Sequence, residues 1–516
     1  MQDTTSSAPR ESSGLDARLR DAAAAAGYTV VPASLAASAD GAWAMIRTPS
    51  GRRLAVAPAP GRESVLGAFE GTRSEAAGGP LLFGPLTAAN AAALRRHLPW
   101  LAPAPLPMGT SAGFGDRLGL ATPGHIRALR AAGGSIAPVF AQQSIREMTR
   151  TGRSPQVIVD DATWGSFEAG WTGGQGADAD HLKTAADITA CAAAGFTMFT
   201  IDPGEHVDAQ ASSRTPDEIR AAWDALPWDR LEASAASMRA RYAGRAFDIE
   251  GREVRFDDGA LVTAAVKYGR AIAHVAAMYR HLAAVKNGEP FDLEVSVDET
   301  DTPTAPAEHV FVASELQRLG VRWASLAPRF VGRFEKGVDY IGDLAAFEAD
   351  FSIHAAIARA FGGYKISLHS GSDKFAIYGI AAEATRGLLH LKTAGTSYLE
   401  ALRAVAAIAP AFFRAIYVFA RERYEQDRAS YHVSATVAAA PDPAALADAD
   451  LPALLEDFHA RQILHVTFGS VLTASHADGS RVFADDLRAI LQAHPEVYAG
   501  CLERHFVRHL QPFAGR

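Results

Sequence analysis

From residue 107 onward, stretches of helical periodicity alternate with short apolar segments that are typical of strands. Such alternation predicts βα units built on a parallel sheet. We expect strands at residues 136–140, 196–202, 291–298, 321–327, 364–369 and 388–393. Because parallel strands are joined by right-handed crossovers, two architectures remain: a closed barrel and an open doubly wound sheet.

The faces of two predicted strands favour the barrel. Polar residues share one face of each strand: Asp292, Glu294, Ser296 and Asp298 in the first, and Lys365, Ser367 and His369 in the second. An open sheet that is covered by helices on both sides should be apolar on both faces. A polar inner face fits a barrel whose upper interior is an active site. We therefore predict an α/β fold with a (β/α)8 barrel.

Changes in composition and periodicity divide the chain into three parts. Residues 1–14 are polar and predict a disordered tail. Residues 15–105 are rich in Ala, Pro and Gly and alternate short apolar runs with turns, which indicates a small α+β domain. The barrel is expected over 106–516, with an insertion in a βα loop at about 208–262, where the alternation is interrupted.

Composition excludes several classes of protein. The net charge of −8 and the sequence pI near 6.1 give no support to nucleic-acid binding. The two cysteines, Cys191 and Cys501, do not amount to a disulfide framework, which suits a reducing cytosol. No apolar run approaches the ~20 residues that span a bilayer, and the first fourteen residues lack a secretory apolar core. We expect a soluble, cytoplasmic protein with no membrane partner.

The strongest local motif is IDPGEHVD at 201–208, directly after a predicted strand. Catalytic groups of barrel enzymes lie at such strand ends. Adjacent Glu205 and His206 suit a base beside a metal ligand, because the metal charge keeps the carboxylate ionised. The alternative is a solvated turn with ordinary polar side chains.

Further candidates follow the next strands. His369 ends one strand and could bind a divalent metal, unless it is a hydrogen-bonded core histidine. Glu294 points into the barrel, where a carboxylate is costly unless it is paired or metal-bound, and Asp298 is the alternative for its role. His309, in the first turn of a predicted helix, and His432, at a possible late strand end, are alternative third ligands.

Two glycine-rich stretches, at 109–119 and 170–176, fit neither the dinucleotide fingerprint nor the P-loop. We therefore expect no nucleotide cofactor.

Six long phrases resemble the tagaturonate epimerase family. They are GDRLGLATPGH (115–125), IDPGEHVD (201–208), EVSVDETDTPT (294–304), SLAPRFVGRFEKGVDYIGD (325–343), KISLHSGSDKF (365–375) and LKTAGTSYLEAL (391–402). That family interconverts D-tagaturonate and D-fructuronate in hexuronate catabolism with a divalent metal, and some members also act on fructose and tagatose. The resemblance implies an isomerase with Zn, Mn, Co, Ni or Fe, acting on a small sugar acid or ketose; homo-oligomerisation stays open.

The resemblance also implies roles for individual residues. Glu205 would be the proton acceptor, Glu294 the proton donor, and His206 and His369 metal ligands, with His309 or His432 as the third ligand. Independently of the resemblance, we expect Lys374 or Lys392 to pair with the substrate carboxylate.

The reaction itself constrains the mechanism. The inverted carbon lies β to the ketone, so enolisation cannot invert it, whereas a retro-aldol cleavage and re-addition can. That route needs a Lewis acid and two acid/base groups. Two rival interpretations are a metal-dependent aldolase or ketose isomerase on the same barrel, and a catalytically inactive sugar-acid-binding barrel.

Overall fold

Eight parallel strands close into a barrel, which confirms the predicted architecture. The computed structural model describes residues 11–49, 51–76, 78–298, 300–393 and 395–515. The barrel strands, in order around the barrel, are β7 (Ser111–Gly113), β8 (Ala137–Ser144), β9 (Gly176–Leu182), β10 (Met198–Ile201), β13 (Asp292–Ser296), β14 (Ser325–Ala327), β15 (Lys365–Leu368) and β16 (Leu389–Lys392). β16 returns to β7, with His390 opposite Ser111.

Helices follow the barrel strands and surround them. They are α3 (Thr122–Ala132), α4 (Ile145–Thr151), α5 (Pro155–Glu168), α6 (Ala185–Ala194), α9 (Asp258–Lys286), α10 (Pro306–Arg318), α11 (Leu344–Ala360), α12 (Phe375–Thr385) and α13 (Thr396–Ile408). None of the helices in the described ranges combines the length and hydropathy that a membrane crossing requires.

The strand register determines which polar side chains meet inside the barrel. Thr200 of β10 lies opposite Glu294 of β13, and Glu294 lies opposite Ser325 of β14. Because side chains alternate between the two faces of a strand, these three project to the same side of the sheet. The register therefore places one hydroxyl group on each side of a buried carboxylate.

The N-terminal part forms an antiparallel sheet flanked by helices. Its elements are α1 (Glu11–Ala25), β1 (Thr29–Val30), β2 (Ala36–Ser38), β3 (Gly41–Thr48), β4 (Gly51–Pro58), β5 (Thr72–Ala76), β6 (Gly79–Gly84) and α2 (Ala88–His97). One face of β3 packs Ala44 and Ile46 with α1, and the other packs Trp43 with Phe167 of α5. The sheet is thereby fixed to the barrel. Of the tail expected at 1–14, residues 1–10 lie outside the described residues, and α1 begins at Glu11.

The segment between β10 and α9 contains α7 (Pro216–Asp224), α8 (Ala235–Tyr242) and the hairpin β11 (Ala246–Ile249) and β12 (Arg252–Arg255). The Tyr242 hydroxyl donates to Glu315 of α10 at 2.8 Å. Arg359 of α11 pairs with Glu250 in the hairpin turn at 2.6 Å. The segment thus packs against the outer helices.

The chain ends in a helical region made of α14 (Pro410–Asp427), α15 (Phe458–Val466), α16 (Phe468–Thr473), α17 (Ala484–Ala493) and α18 (Pro495–Leu510). The last helix, α18, packs closely on α3: a Cβ on Gly124 would lie 2.5 Å from Leu502. Only a residue without a side chain permits this approach of the two helices.

Candidate active site

Glu294 lies at the centre of a buried polar cluster inside the barrel. Its carboxylate accepts hydrogen bonds from Ser325 Oγ at 2.5 Å and Thr200 Oγ1 at 3.2 Å, and its Oε1 lies 2.5 Å from His369 Nε2. Burial opposes ionisation, but Lys392 and His369 together lower the pKa of Glu294 well below its ordinary value. Glu294 is therefore a carboxylate in the resting site.

Lys392 lies between the carboxylates of β9 and the carboxylate of β13. Its Nζ lies 2.8 Å from Asp178, 2.6 Å from Asp180 and 2.7 Å from Glu294. Burial lowers the pKa of a lysine, yet these three carboxylates raise the pKa of Lys392 well above its ordinary value. The ammonium is thus fully engaged with side chains of the protein.

His369 connects the cluster to the open end of the barrel. Its Nδ1 lies 3.2 Å from Asp298, so a carboxylate contacts each ring nitrogen. Although burial and Lys392 oppose it, Asp298 and Glu294 raise the pKa of His369 to about 10. The same negative surroundings that favour a proton on His369 would favour a metal cation in place of that proton, since a histidine that binds a metal is a neutral imidazole.

His181 completes the cluster on the side of β9. It follows Asp180 directly, its Nδ1 lies 3.3 Å from Asp202, and its ring centroid lies 5.2 Å from that of His369. One ligand atom from each of Asp180, His181 and His369 lies within 4.8 Å of the others. Two imidazoles and a carboxylate are a donor set typical of divalent first-row transition metals.

The charge balance of the cluster also fits a cation. The pKa values of Asp180, Asp202, Glu294 and Asp298 are all lowered, each against the opposing effect of burial. These carboxylates face the ammonium of Lys392 and the imidazole of His369, which would be neutral when it binds a metal. Negative charge is in excess, so a divalent cation would be favoured beside them.

The structure places Glu205 and His206 on a surface turn instead of inside the barrel. The Glu205 side chain is 72% exposed and pairs with Lys183 at 2.8 Å. His206 is also exposed, and its ring centroid lies 4.2 Å from that of His274. In the same motif it is Asp202 that turns inward, to His181. Neither of the two converging groups of possible metal ligands among the described residues contains His206.

His309 and His432 are also outside the cluster. His309 is buried, its Nε2 forms a hydrogen bond with the Tyr364 hydroxyl at 2.7 Å, and its Nδ1 forms a hydrogen bond with His354 at 2.8 Å. Both ring nitrogens are therefore used within the helical layer. His432 is exposed and lines a cavity at the barrel mouth. Neither histidine belongs to a converging ligand group in the described part of the chain.

Lys374, expected to bind the substrate carboxylate, is buried and bound to backbone. Its Nζ donates to the carbonyl oxygens of Glu335, Val338 and Ser372 at 2.8, 2.5 and 3.1 Å. These bonds join the loops that follow β14 and β15, which is a structural arrangement.

Sequence reasoning missed the strand β9 and with it Asp178, Asp180 and His181. The strand sequence GADADHL lacks the β-branched and aromatic residues that mark a strand, and it follows a glycine-rich stretch. Its strict alternation of Ala and Asp is nevertheless a period of two, and that signal could have found it.

Two cavities open above the cluster. The larger, about 320 Å³, is lined by Asp298 together with Arg146, Lys336 and Tyr431. The smaller, about 40 Å³, is lined by Asp180 and His181 and by the same three residues. The larger volume is within the range of small-molecule sites.

A second group of ligand-type residues lies behind the loop that follows β15. Arg461 pairs with Asp373 at 2.9 Å, and His505 Nε2 lies 3.6 Å from the same carboxylate. The Asp373 backbone N–H donates to His509 Nε2 at 2.9 Å, while His509 Nδ1 donates to the His505 carbonyl at 2.9 Å. Both nitrogens of His509 are used, so this group holds the loop in place from α18.

Comparison with known proteins identifies the family of this chain. A family model described as UxaE, tagaturonate epimerase, matches residues 32–513. This chain belongs to the tagaturonate epimerase family. The expected membership in a family of isomerases is thereby confirmed. Another member, the tagaturonate/fructuronate epimerase of Thermotoga maritima, is 45% identical over 427 residues, which are 83% of this chain and 85% of the relative.

Solved structures of the tagaturonate epimerase family have the same fold. The glycerol-complexed crystal structure of fructuronate-tagaturonate epimerase UxaE from Cohnella laeviribosi is similar with a TM-score of 0.89 and 37% identity, covering 96% of this chain and 98% of that one. The native structure of the same protein matches with a TM-score of 0.89 and 36% identity, covering 98% and 99%.

Proposed function

We propose that this chain is a metal-dependent epimerase that interconverts D-tagaturonate and D-fructuronate. Family membership supports the substrates, and the converging Asp180, His181 and His369 support the metal dependence. The observation that carries the proposal is the position of this ligand group beside the buried acid Glu294, at the ends of strands where barrel enzymes place their chemistry.

We assign the metal to Asp180, His181 and His369, which come from β9 and from the end of β15. Each has a neighbour that orients it: Asp180 contacts Lys392, His181 contacts Asp202, and His369 contacts Asp298. A divalent cation held there would polarise the substrate ketone and balance the negative charge that develops on it. Zn, Mn, Co, Ni and Fe all accept this donor set.

We assign the two proton transfers to Glu294 and Asp298. Both are carboxylates that contact His369, at 2.5 and 3.2 Å, and neither is assigned to the metal. One removes the hydroxyl proton at the carbon that is inverted, so that the adjacent C–C bond breaks to give an aldehyde and an enediolate. The aldehyde turns over, the bond forms again on its other face, and the proton taken in the first step is passed to the second group, which returns it to the new alkoxide.

The metal assignment is tested by elemental analysis and activity. We expect the purified protein to contain about one divalent ion, to lose epimerisation on chelation, and to recover it on refilling. The variants His181→Ala and His369→Ala should lose the ion, whereas His206→Ala, an exposed histidine at the same end of the barrel, should retain it. Loss of metal from His206→Ala with retention in His181→Ala would contradict the assignment.

The reaction is tested by following tagaturonate with NMR spectroscopy. Glu294→Gln should lower kcat by about 100-fold or more, the usual contribution of a proton-transfer group. Glu205→Gln should stay within a few-fold of the parent because its side chain is exposed. Accumulation of three-carbon fragments would indicate an aldolase, an aldose product would indicate an isomerase, and no turnover by a metal-loaded protein would indicate a binding barrel.

A further inference from the structure

The wall shared by the two cavities is rich in positive charge. Arg146, Lys336 and Tyr431 line both cavities, and Arg117 lines the smaller one. That smaller cavity also contains Asp180 and the adjacent histidine on its wall. The cationic side chains therefore lie beside the proposed metal ligands, on the side from which a substrate would enter.

Arg117 is built to present part of its guanidinium group. It is 3% exposed, its Nε and one terminal nitrogen donate to Glu147 at 3.0 and 2.6 Å, and its guanidinium lies 3.5 Å from the centroid of the Phe468 ring. The other terminal nitrogen is buried and has no hydrogen-bond partner among the residues that the structure describes. An unsatisfied buried donor is costly, which points to a ligand that completes it.

Lys336 approaches the same wall from the loop after β14. Its Nζ donates to Ser370 Oγ at 2.5 Å, and Ser370 is the residue directly after His369. Arg146 enters from the first turn of α4, where its guanidinium lies 5.9 Å from the centroid of the Tyr431 ring. Three separate segments of the chain thus bring cations to one place beside the site.

We propose that Arg117, Arg146 and Lys336 bind the carboxylate of the sugar acid and make the enzyme select uronates over neutral ketoses. This proposal rests on the proposed function and specifies how its substrate is recognised. Arginine binds carboxylates through paired donors in one plane, so the unused edge of Arg117 suits this group. A neutral ketose has a hydroxymethyl group at that position, which cannot accept the paired, charge-assisted hydrogen bonds that a carboxylate accepts.

The two lysines that the sequence suggested for this role are committed elsewhere. The Lys392 ammonium is surrounded by Asp178, Asp180 and Glu294, and that of Lys374 is bound to three carbonyl groups. Neither cation lines either cavity at the barrel mouth. The cationic wall defined by Arg117, Arg146 and Lys336 is therefore the better match for an anionic substrate.

The test compares a uronate with a neutral ketose in matched variants. For Lys336→Met and Arg146→Gln we expect the KM for tagaturonate to rise about 30-fold or more, as for loss of one partner from a buried charged pair. The kcat/KM for tagatose should change less than about three-fold. Lys336→Arg should restore most of the uronate activity, and Arg220→Gln, an exposed position on α7 outside both cavity walls, should behave as the parent.

Binding measurements make the result independent of turnover. By calorimetry on the metal-loaded protein, the parent should bind tagaturonate more tightly than tagatose, and the difference should shrink in both variants. An equal loss for both ligands, or a parent that binds them equally, would overturn the proposal. A parent that discriminates between the ligands but epimerises neither would refute the proposed function and leave the carboxylate site supported.

Discussion

Replacing Lys374 by Met separates a structural lysine from a substrate-binding one. The side chain is fully buried, and its ammonium donates to carbonyl oxygens of Glu335, Val338 and Ser372. Methionine fills a similar volume but cannot donate, so three buried carbonyl groups would lose their partner. We expect a less stable protein that still binds its substrate.

The size of the loss follows from two opposing effects. Each hydrogen bond from a charged donor contributes roughly 1.5–3 kcal/mol, so the loss of three is worth at least about 4.5 kcal/mol. Burial lowers the pKa of Lys374 to about 8 from its ordinary 10.5, so removing the charge relieves a penalty of about 3 kcal/mol. The difference is at least about 1.5 kcal/mol, and the unsatisfied carbonyl groups cost at least about 1.5 kcal/mol more, so we expect a net destabilisation of about 3 kcal/mol or more. For a chain of this length unfolding as one unit, that lowers Tm by about 3 °C.

Differential scanning fluorimetry and steady-state kinetics check this expectation on one preparation. Lys336→Met provides the matched control, since Lys336 is only half-buried and its Nζ donates a hydrogen bond to Ser370. Lys374→Met should lower Tm and leave the KM for tagaturonate within about three-fold. Lys336→Met should instead leave Tm close to that of the parent and raise the KM for tagaturonate. An unchanged Tm together with a raised KM in Lys374→Met would refute the reasoning and return Lys374 to the substrate.

Two other outcomes follow from the geometry. Gly395→Ala should lower kcat/KM for tagaturonate by about ten-fold or more, because φ is +99° and the new Cβ would lie 2.6 Å from Arg117 and 2.7 Å from His465. Gly387→Ala, with φ +88° and no atom within 4 Å of the new Cβ, measures the effect of backbone strain alone. Equal losses of kcat/KM in both variants would contradict the argument. Burial lowers the pKa of His125 to about 4, so the folded state resists protonation of this side chain. The folded state therefore loses about 3 kcal/mol of its free energy of unfolding as the pH falls from 6.5 through 4, and this loss is absent above pH 6.5. Tm measured at pH 7 and pH 4.5 should therefore fall less in His125→Gln than in the parent.

The fold and half of the cluster could be predicted from local patterns. The alternation in β13 and β15 placed Glu294 and His369 on inner faces at the strand ends, and in the structure they are 2.5 Å apart. The alternation of side chains between two faces is a property of a single strand, so it can be recognised in one segment without knowledge of the neighbouring strands. The same pattern in β9 escaped notice because Ala and Asp are not typical strand residues.

The motif at 201–208 shows why the rest could not be predicted. Its residues follow a barrel strand, but a loop can turn any of its side chains inward. Here Asp202 accepts a hydrogen bond from the Gly204 backbone at 2.8 Å, and the short turn that follows directs Glu205 to Lys183 at the surface. That choice depends on Lys183, which comes from the loop after β9. Such a contact between neighbouring loops leaves no trace in the spacing of one motif.

The attachment of α18 to the loop after β15 has a consequence for how this protein is made. The Asp373 backbone is held by His509 of α18, which follows all eight barrel strands in the sequence. A ribosome-bound chain can complete all eight barrel strands and every proposed metal ligand while this partner is still unsynthesised or inside the exit tunnel. The segment next to His369 can therefore acquire this contact only after the barrel strands have been synthesised, so the order of synthesis delays completion of this site.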